Sequence, residues 1–269
     1  MIDSNDPRQN HILKALPMLE YQRLFPYLVR VELPLGKVLY EPGDTLSYAY
    51  FPTTSVVSLV NVLQNGSSAE IAVIGNDGML CVVIFMSGET MPNRAVVQSA
   101  GYAYKIRKDL LMREFERSGG RRTGKLRTLL MRFTQALVSQ MAQTGVCNRY
   151  HSVDQRLCRL LLFSLDRLPS NDLYMTQESI ANMLGVRREG VTEAAGKLQK
   201  AGLIEYRRGR IKVLNRPGLE EKVCECYQVV KIEYNRLLSD KVSSLSDLNG
   251  RIAPPFREDQ KIVNLNHYR

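Results

Sequence analysis

The chain has 269 residues, enough for two ordinary domains, and its 44% hydrophobic and 24% charged content excludes wholesale disorder. No apolar run approaches the roughly 18 residues that span a bilayer. Residues 1–6 carry no basic-then-apolar leader, so a cytoplasmic protein without membrane contact is expected. The net charge of +10 is unevenly placed: residues 111–216 hold twenty Lys/Arg against nine Asp/Glu, while 1–110 hold nine against ten and 217–269 eight against eight. A near-neutral first part joined to a basic middle implies one region that senses and one that meets a polyanion.

Taken in chain order, residues 11–30 place Leu13, Leu16, Leu19 and Leu24 at helical spacing, interrupted by Pro17, which predicts one or two short helices. From about 31 to 107, β-rich runs at 55–63, 69–74, 80–85 and 95–106 alternate with Gly, Pro and Asn turns. That texture predicts an antiparallel β-roll or jelly roll, with Asn65-Gly66 the strongest hairpin signal. Residues 108–146 lack proline, and Leu126, Leu130, Phe133, Leu137 and Met141 step by three and four, the face of a long helix. The same stripe serves an intramolecular core or a seam between subunits, and a dimer seam is expected. Gly119-Gly120 is where the helix breaks or restarts. Residues 153–168 predict a further apolar helix.

Residues 175–204 carry the most information. Thr176 is a helix N-cap, with Ser179 rather than Glu at the third helical position, so the capping box is incomplete. Ile180, Ala181 and Leu184 form the inner face of a short helix, Gly185 ends it, and Val186 plugs the turn. A second helix from Arg187 to Lys200 turns Val191, Ala194, Ala195 and Leu198 inward. This is a helix-turn-helix, and its second helix is the one that enters a major groove. Its outward residues Arg187, Arg188, Glu189, Thr192 and Glu193 are the candidate base readers: Arg donates twice to guanine, Glu accepts from cytosine. Thr176, Gln177 and Lys197 are expected on phosphates. Residues 203–214 read as a hairpin with Arg207, Arg208, Gly209 and Arg210 at its tip, a basic wing whose Arg208 and Arg210 are further backbone candidates.

With these elements the sequence resembles the Crp/Fnr family of bacterial transcription regulators over about residues 20–215, most specifically at 175–213. The family's recognition motif Arg-Glu-x-Val matches Arg188-Glu189-Gly190-Val191, while a further base-contacting Arg of the family falls at Glu193. The resemblance implies an α+β chain. It consists of a cyclic-nucleotide-binding-domain-like β-roll (11–110), a dimerisation helix (111–150) and a winged helix-turn-helix (151–216). An additional helix (217–242) and a tail (243–269) lie beyond the family's usual end. It implies a homodimer on a palindromic double-stranded operator, RNA polymerase as protein partner, and a small-molecule effector at the roll. The effector pocket would include Met79, Leu80, Asn93 and Arg94. There the family's Gly-Glu-Leu reads Gly78-Met79-Leu80, and no Ser or Thr follows Arg94, so a bound cyclic nucleotide would lose its ribose acceptor and none is expected. The alternative is a cyclic-nucleotide-binding regulatory protein that acts on a protein rather than on DNA.

No Gly-rich phosphate loop or nucleophile elbow is present, and no enzyme is expected. The five cysteines are scattered and contain no Cys-x-x-Cys; Cys224 and Cys226, read as helical, point to different faces. Each cysteine is read as an apolar filler, His11, His151 and His267 as isolated, and no metal site is expected.

Overall fold

The computed structural model describes residues 5–117, 124–168 and 170–238. Two short helices open it, α1 (His11–Lys14), capped by the Asn10 side chain, and α2 (Met18–Leu24). Seven strands follow: β1 (Val29–Leu33), β2 (Val38–Tyr40), β3 (Tyr48–Pro52), β4 (Val56–Val62), β5 (Ser68–Ile74), β6 (Arg94–Ser99) and β7 (Gly101–Arg107). They pair antiparallel in two sheets, β1-β7-β3 and β2-β6-β4-β5, with Val57 opposite Ile74 and Val29 opposite Lys105. The two sheets form the expected roll, and its inner faces are apolar: Phe51, Val56, Val57, Ala95 and Val97 are buried.

Two strand expectations are corrected. The run 80–85 is not a strand: Val82–Met86 is a 3-10 helix bracketed by Cys81 and Ser87, both at left-handed φ. A short apolar run without alternation does not distinguish strand from buried helix. The run 95–106 is two strands, β6 and β7, which join different sheets across Ala100.

Beyond the roll come α3 (Lys108–Phe115), α4 (Lys125–Tyr150) and α5 (Val153–Leu165), the last opened by a complete capping box between Ser152 and Gln155. Gly119 and Gly120 lie outside the described residues. Strand β8 (Asp172–Tyr174), helices α6 (Gln177–Leu184) and α7 (Arg188–Lys200), and strands β9 (Ile204–Arg207) and β10 (Arg210–Val213) complete the basic region. The expected single helix over 217–242 is two, α8 (Arg216–Lys222) and α9 (Cys226–Leu238), separated by a turn at Val223. Residues 239–269 lie outside the described residues.

Helix α4 corrects the expectation for the seam. Leu126, Leu130, Phe133 and Leu137 are at most 2% exposed and Met141 is half-buried, because β5, α1, α3 and α9 pack on that face. The stripe is intramolecular core, and the same three-and-four spacing describes either use. Close approach of α4 to the roll needs a residue without a side chain: a Cβ on Gly78 would lie 2.3 Å from the Phe133 ring. On the other side Tyr234 of α9 meets Phe133 edge-to-face at 6.3 Å and donates to Gln140 Oε1 at 2.7 Å. The face of α4 left exposed carries Met131, Val138, Ala142 and Val146.

One apolar cluster runs without interruption from the roll through α4 and α5 into the helix-turn-helix and α9. A buried ion pair spans the same junction. Arg167, 4% exposed after α5, holds Asp77 of the roll at 2.7 and 3.1 Å and donates to the Phe163 carbonyl at 2.8 Å.

Candidate nucleic-acid interface

Helix α6 begins where the Thr176 hydroxyl accepts from the Ser179 N–H at 3.0 Å. It ends at Gly185, whose φ of +61° is the left-handed conformation that a side chain disfavours. The Leu184 carbonyl left over at that end accepts from the buried Arg156 guanidinium of α5. Ala181 is buried between the two helices, and Val191, Ala194, Ala195 and Leu198 fix α7 on the core. The Thr192 hydroxyl donates to Gln177 Oε1 at 3.0 Å and thereby ties α7 to the first turn of α6.

The first turn of α7 faces outward. Arg187 at its N-cap, Arg188 and Glu189 are exposed, and among the described residues none of the three is engaged in an ion pair. Two arginines at a helix N-terminus oppose the positive end of the helix dipole, an unfavourable placement in isolation that an anionic partner relieves. The remaining candidates divide. Glu193 and Lys197 pair with each other at 2.9 Å, and Lys197 also reaches Asp154 at 3.2 Å. Thr192 and Gln177 are engaged in their mutual bond. Thr176 remains exposed at the start of α6.

Strands β9 and β10 form the wing hairpin, joined by Arg208 at φ +51° and Gly209 at +77°, the positive-φ pair that two-residue hairpins favour. Strand β8 adds to β10, and Tyr206 donates to the Met175 carbonyl at 2.8 Å, which seats the hairpin on the start of α6. Arg207 and Arg208 are exposed, with no carboxylate partner among the described residues. Arg210 instead grips Asp172 at 2.9 Å, and its hydrogen bonds hold the Asp172 carboxyl below the usual carboxylate range. Between the wing, the N-terminus of α6 and α7 lies a concave surface of about 480 Å3 that includes Thr176, Arg188 and Arg208. Helix N-terminal N–H groups beside arginines suit a phosphate.

The four residues expected at an effector pocket do not share a cavity. Met79 and Leu80 are fully buried in the roll, Asn93 is 2% exposed and accepts from the Tyr40 hydroxyl, and Arg94 pairs with Glu41 at 2.7 Å. An apolar cavity of about 490 Å3 lies instead between the roll and α6, and of the four only Arg94 reaches it. Gln98, buried at its edge, has a carbonyl oxygen with no partner. Residues able to hold a metal do gather elsewhere: Cys147, His151, Cys224 and Cys226 converge where α4 ends beside the α8–α9 turn. Sequence reasoning missed them because Cys224 stands in the turn before α9, so helical spacing does not govern its relation to Cys226. The available signal was Cys147-x-x-x-His151, one helical turn apart.

An antiparallel roll, a long helix, and a helix-turn-helix with a basic wing define a DNA-binding regulator of the winged-helix type. The model of the Crp-like helix-turn-helix domain matches residues 155–222, and that of the cyclic nucleotide-binding domain matches residues 30–118. Together the two span more than half of the chain, which belongs to the Crp/Fnr family of transcription regulators. A curated relative, the global nitrogen regulator of Synechococcus elongatus, is 22% identical over 191 residues, covering 70% of this chain and 86% of its own. Among solved structures, a Crp/Fnr-family protein from Eubacterium rectale aligns with a TM-score of 0.60 at 16% identity, covering 78% of this chain and 96% of its own. The c-di-GMP responsive global regulator CLP of Xanthomonas campestris aligns with a TM-score of 0.59 at 16% identity, covering 73% and 99%. No helix among the described residues is long and apolar enough to cross a membrane.

Proposed function

We propose that the protein acts in the cytoplasm as a homodimer that reads a palindromic operator through the first turn of α7 and alters transcription by RNA polymerase. The observation that carries this reading is the exposed Arg187-Arg188-Glu189 turn, free of ion pairs among the described residues, with Arg188 sharing a concave surface with Arg208 of the wing. Arg188 and Glu189 read bases; Thr176, Arg187 and Arg208 hold phosphates. Glu193 and Lys197 orient each other, and Lys197 meets the backbone from that pair. Two such helices in a symmetric dimer lie about 34 Å apart, on half-sites about 10 bp apart.

The dimer forms along α4 through the exposed Met131, Val138, Ala142 and Val146, in place of the buried stripe. A regulatory signal other than a cyclic nucleotide acts on the roll. Met79 and Leu80 fill its interior, and the cavity against α6 is the place where an apolar effector with one hydrogen-bond donor for Gln98 would bear on the helix-turn-helix. The reading as a cyclic-nucleotide receptor for a protein partner has less support, because no acidic ribose acceptor stands beside Met79.

The test is selection of duplexes from a random library followed by mobility shift on the selected site. Arg188→Ala is expected to weaken specific binding by about 1–3 kcal/mol, roughly 5- to 150-fold, with nonspecific binding retained. Undiminished preference for the selected site would refute the assignment of the helix.

A further inference from the structure

Of the five cysteines, two are ordinary core. Cys81 and Cys158 lie in the main apolar cluster. The other three form a separate island, Cys147, Cys224 and Cys226, with Val223 packed against it. These three are at most 2% exposed and none is in a disulfide. His151, the residue that terminates α4, completes the group. Cys147 and His151 stand one helical turn apart, so both side chains leave α4 on one face. Cys224 and Cys226 arrive from the opposite side, where the chain turns from α8 into α9.

The four ligand atoms all lie within 4.8 Å of one another. The Cys147 and Cys224 sulfurs are 3.5 Å apart, and the Cys226 sulfur is 3.4 Å from His151 Nδ1. A tetrahedral zinc ion with bonds of about 2.0–2.3 Å sets its ligand atoms about 3.4–3.8 Å apart, so these edges close around one ion with small adjustments. The spacing is too tight for an iron–sulfur cluster, whose ligands spread over several metal ions. The surroundings have the form of a metal site's outer ring. His151 Nε2 faces the Glu225 carboxylate at 3.3 Å, which leaves Nδ1 as the inward nitrogen. Gln143 Nε2 donates to the Cys226 sulfur at 3.1 Å, a bond that a metal-bound thiolate accepts.

We propose that Cys147, His151, Cys224 and Cys226 form a Cys3His site for a single structural zinc ion that fastens the α8–α9 turn to the end of α4. All four positions are supplied by the chain and three are buried, which is the closed set of a structural rather than a catalytic site. Helix α5, the first element of the DNA-binding region, begins two residues after His151, so the ion sits at the junction between that region and α4.

The experiment uses the full chain, produced with zinc in the medium and purified under reducing conditions without chelator, with metal measured by plasma mass spectrometry. About one zinc per chain is expected, lost in the double variant Cys224→Ser with Cys226→Ser and kept in His151→Cys. Because the double variant can fail to fold, metal-stripped wild-type chain is also titrated with Co2+. The intense visible bands of a tetrahedral thiolate site are expected to saturate at one equivalent and to be bleached by added zinc. Absence of both stoichiometric zinc and the cobalt spectrum overturns the proposal. So does zinc that survives in a folded double variant, or a Cys147–Cys224 disulfide found by peptide mapping of the reduced preparation.

Discussion

Replacing Arg167 by Met tests how the roll is joined to the DNA-binding region. The change keeps most of the side-chain volume and removes the charge that faces Asp77 at 2.7 Å, together with the bond to the Phe163 carbonyl. Removing one partner of a buried ion pair costs about 3–5 kcal/mol, because the other charge stays behind without a counterion. Asp77 is 16% exposed and keeps the Gly75 N–H at 3.1 Å, so a loss near the lower limit, about 3 kcal/mol, is expected. Adding Asp77→Asn to Arg167→Met removes the stranded charge and should recover about 2 kcal/mol of it. Urea unfolding of the wild type, both single variants and the double variant gives the coupling directly. If Arg167→Met costs less than about 1 kcal/mol, or if the two changes are additive, the pair is not the fastening described here.

Burial pushes the Glu70 carboxyl up to about 7 against the opposing hydrogen bond from Ser58 and the charges of Arg159 and Arg167. A carboxyl raised in the folded state binds its proton more tightly there. Its contribution is therefore fully present below its ordinary value of about 4.5 and is lost as pH rises through about 7, on the order of 3 kcal/mol. Urea midpoints from pH 5 to 8 should show that decline in the wild type and not in Glu70→Gln; equal slopes would exclude the assignment. Gly185→Ala places a Cβ at φ +61°, 3.3 Å from Ala69, and should lower stability by about 1–2 kcal/mol, with Gly185→Asn milder, as measured by thermal or urea melts. Met131→Glu with Val138→Glu should give a folded monomer by light scattering, while Leu130→Ala should leave the oligomeric state intact and cost about 2–5 kcal/mol in unfolding. The reverse pattern would restore the original seam.

The helix-turn-helix was readable in the sequence because its signals are local. Thr176, Gly185, Val186 and the inward row of α7 each act within a few residues of chain, and the basic tip of the wing is contiguous. The roll was readable from its turns, but the strand expected at 80–85 was not there, since left-handed Cys81 and Ser87 answer to packing rather than to pattern. The stripe expected at a seam is internal for a similar reason. Periodicity identifies the buried face of α4 without telling what buries it, and α9, more than 70 residues further on, was the occupant. Pairing of Lys197 with Asp154, of Arg210 with Asp172, and of Thr192 with Gln177 likewise depends on neighbours that only the folded chain supplies, whereas Glu193 and Lys197, four residues apart on one helix, pair through local spacing. The Cys/His group was hidden because its two halves are 73 residues apart in sequence, from His151 to Cys224.

Helix α6 does not stand clear of the roll. The Ser68 hydroxyl on β5 donates to the Asn182 carbonyl, and Ala69 lies against Gly185 at the turn into α7. The orientation of α7, the helix proposed to read bases, is therefore set in part by a strand of the roll more than 100 residues earlier in the chain. A graft that moved residues 153–238 onto another regulator would leave that turn without its floor, and the specificity of the transplanted reading head would change although every residue facing the duplex had been carried across.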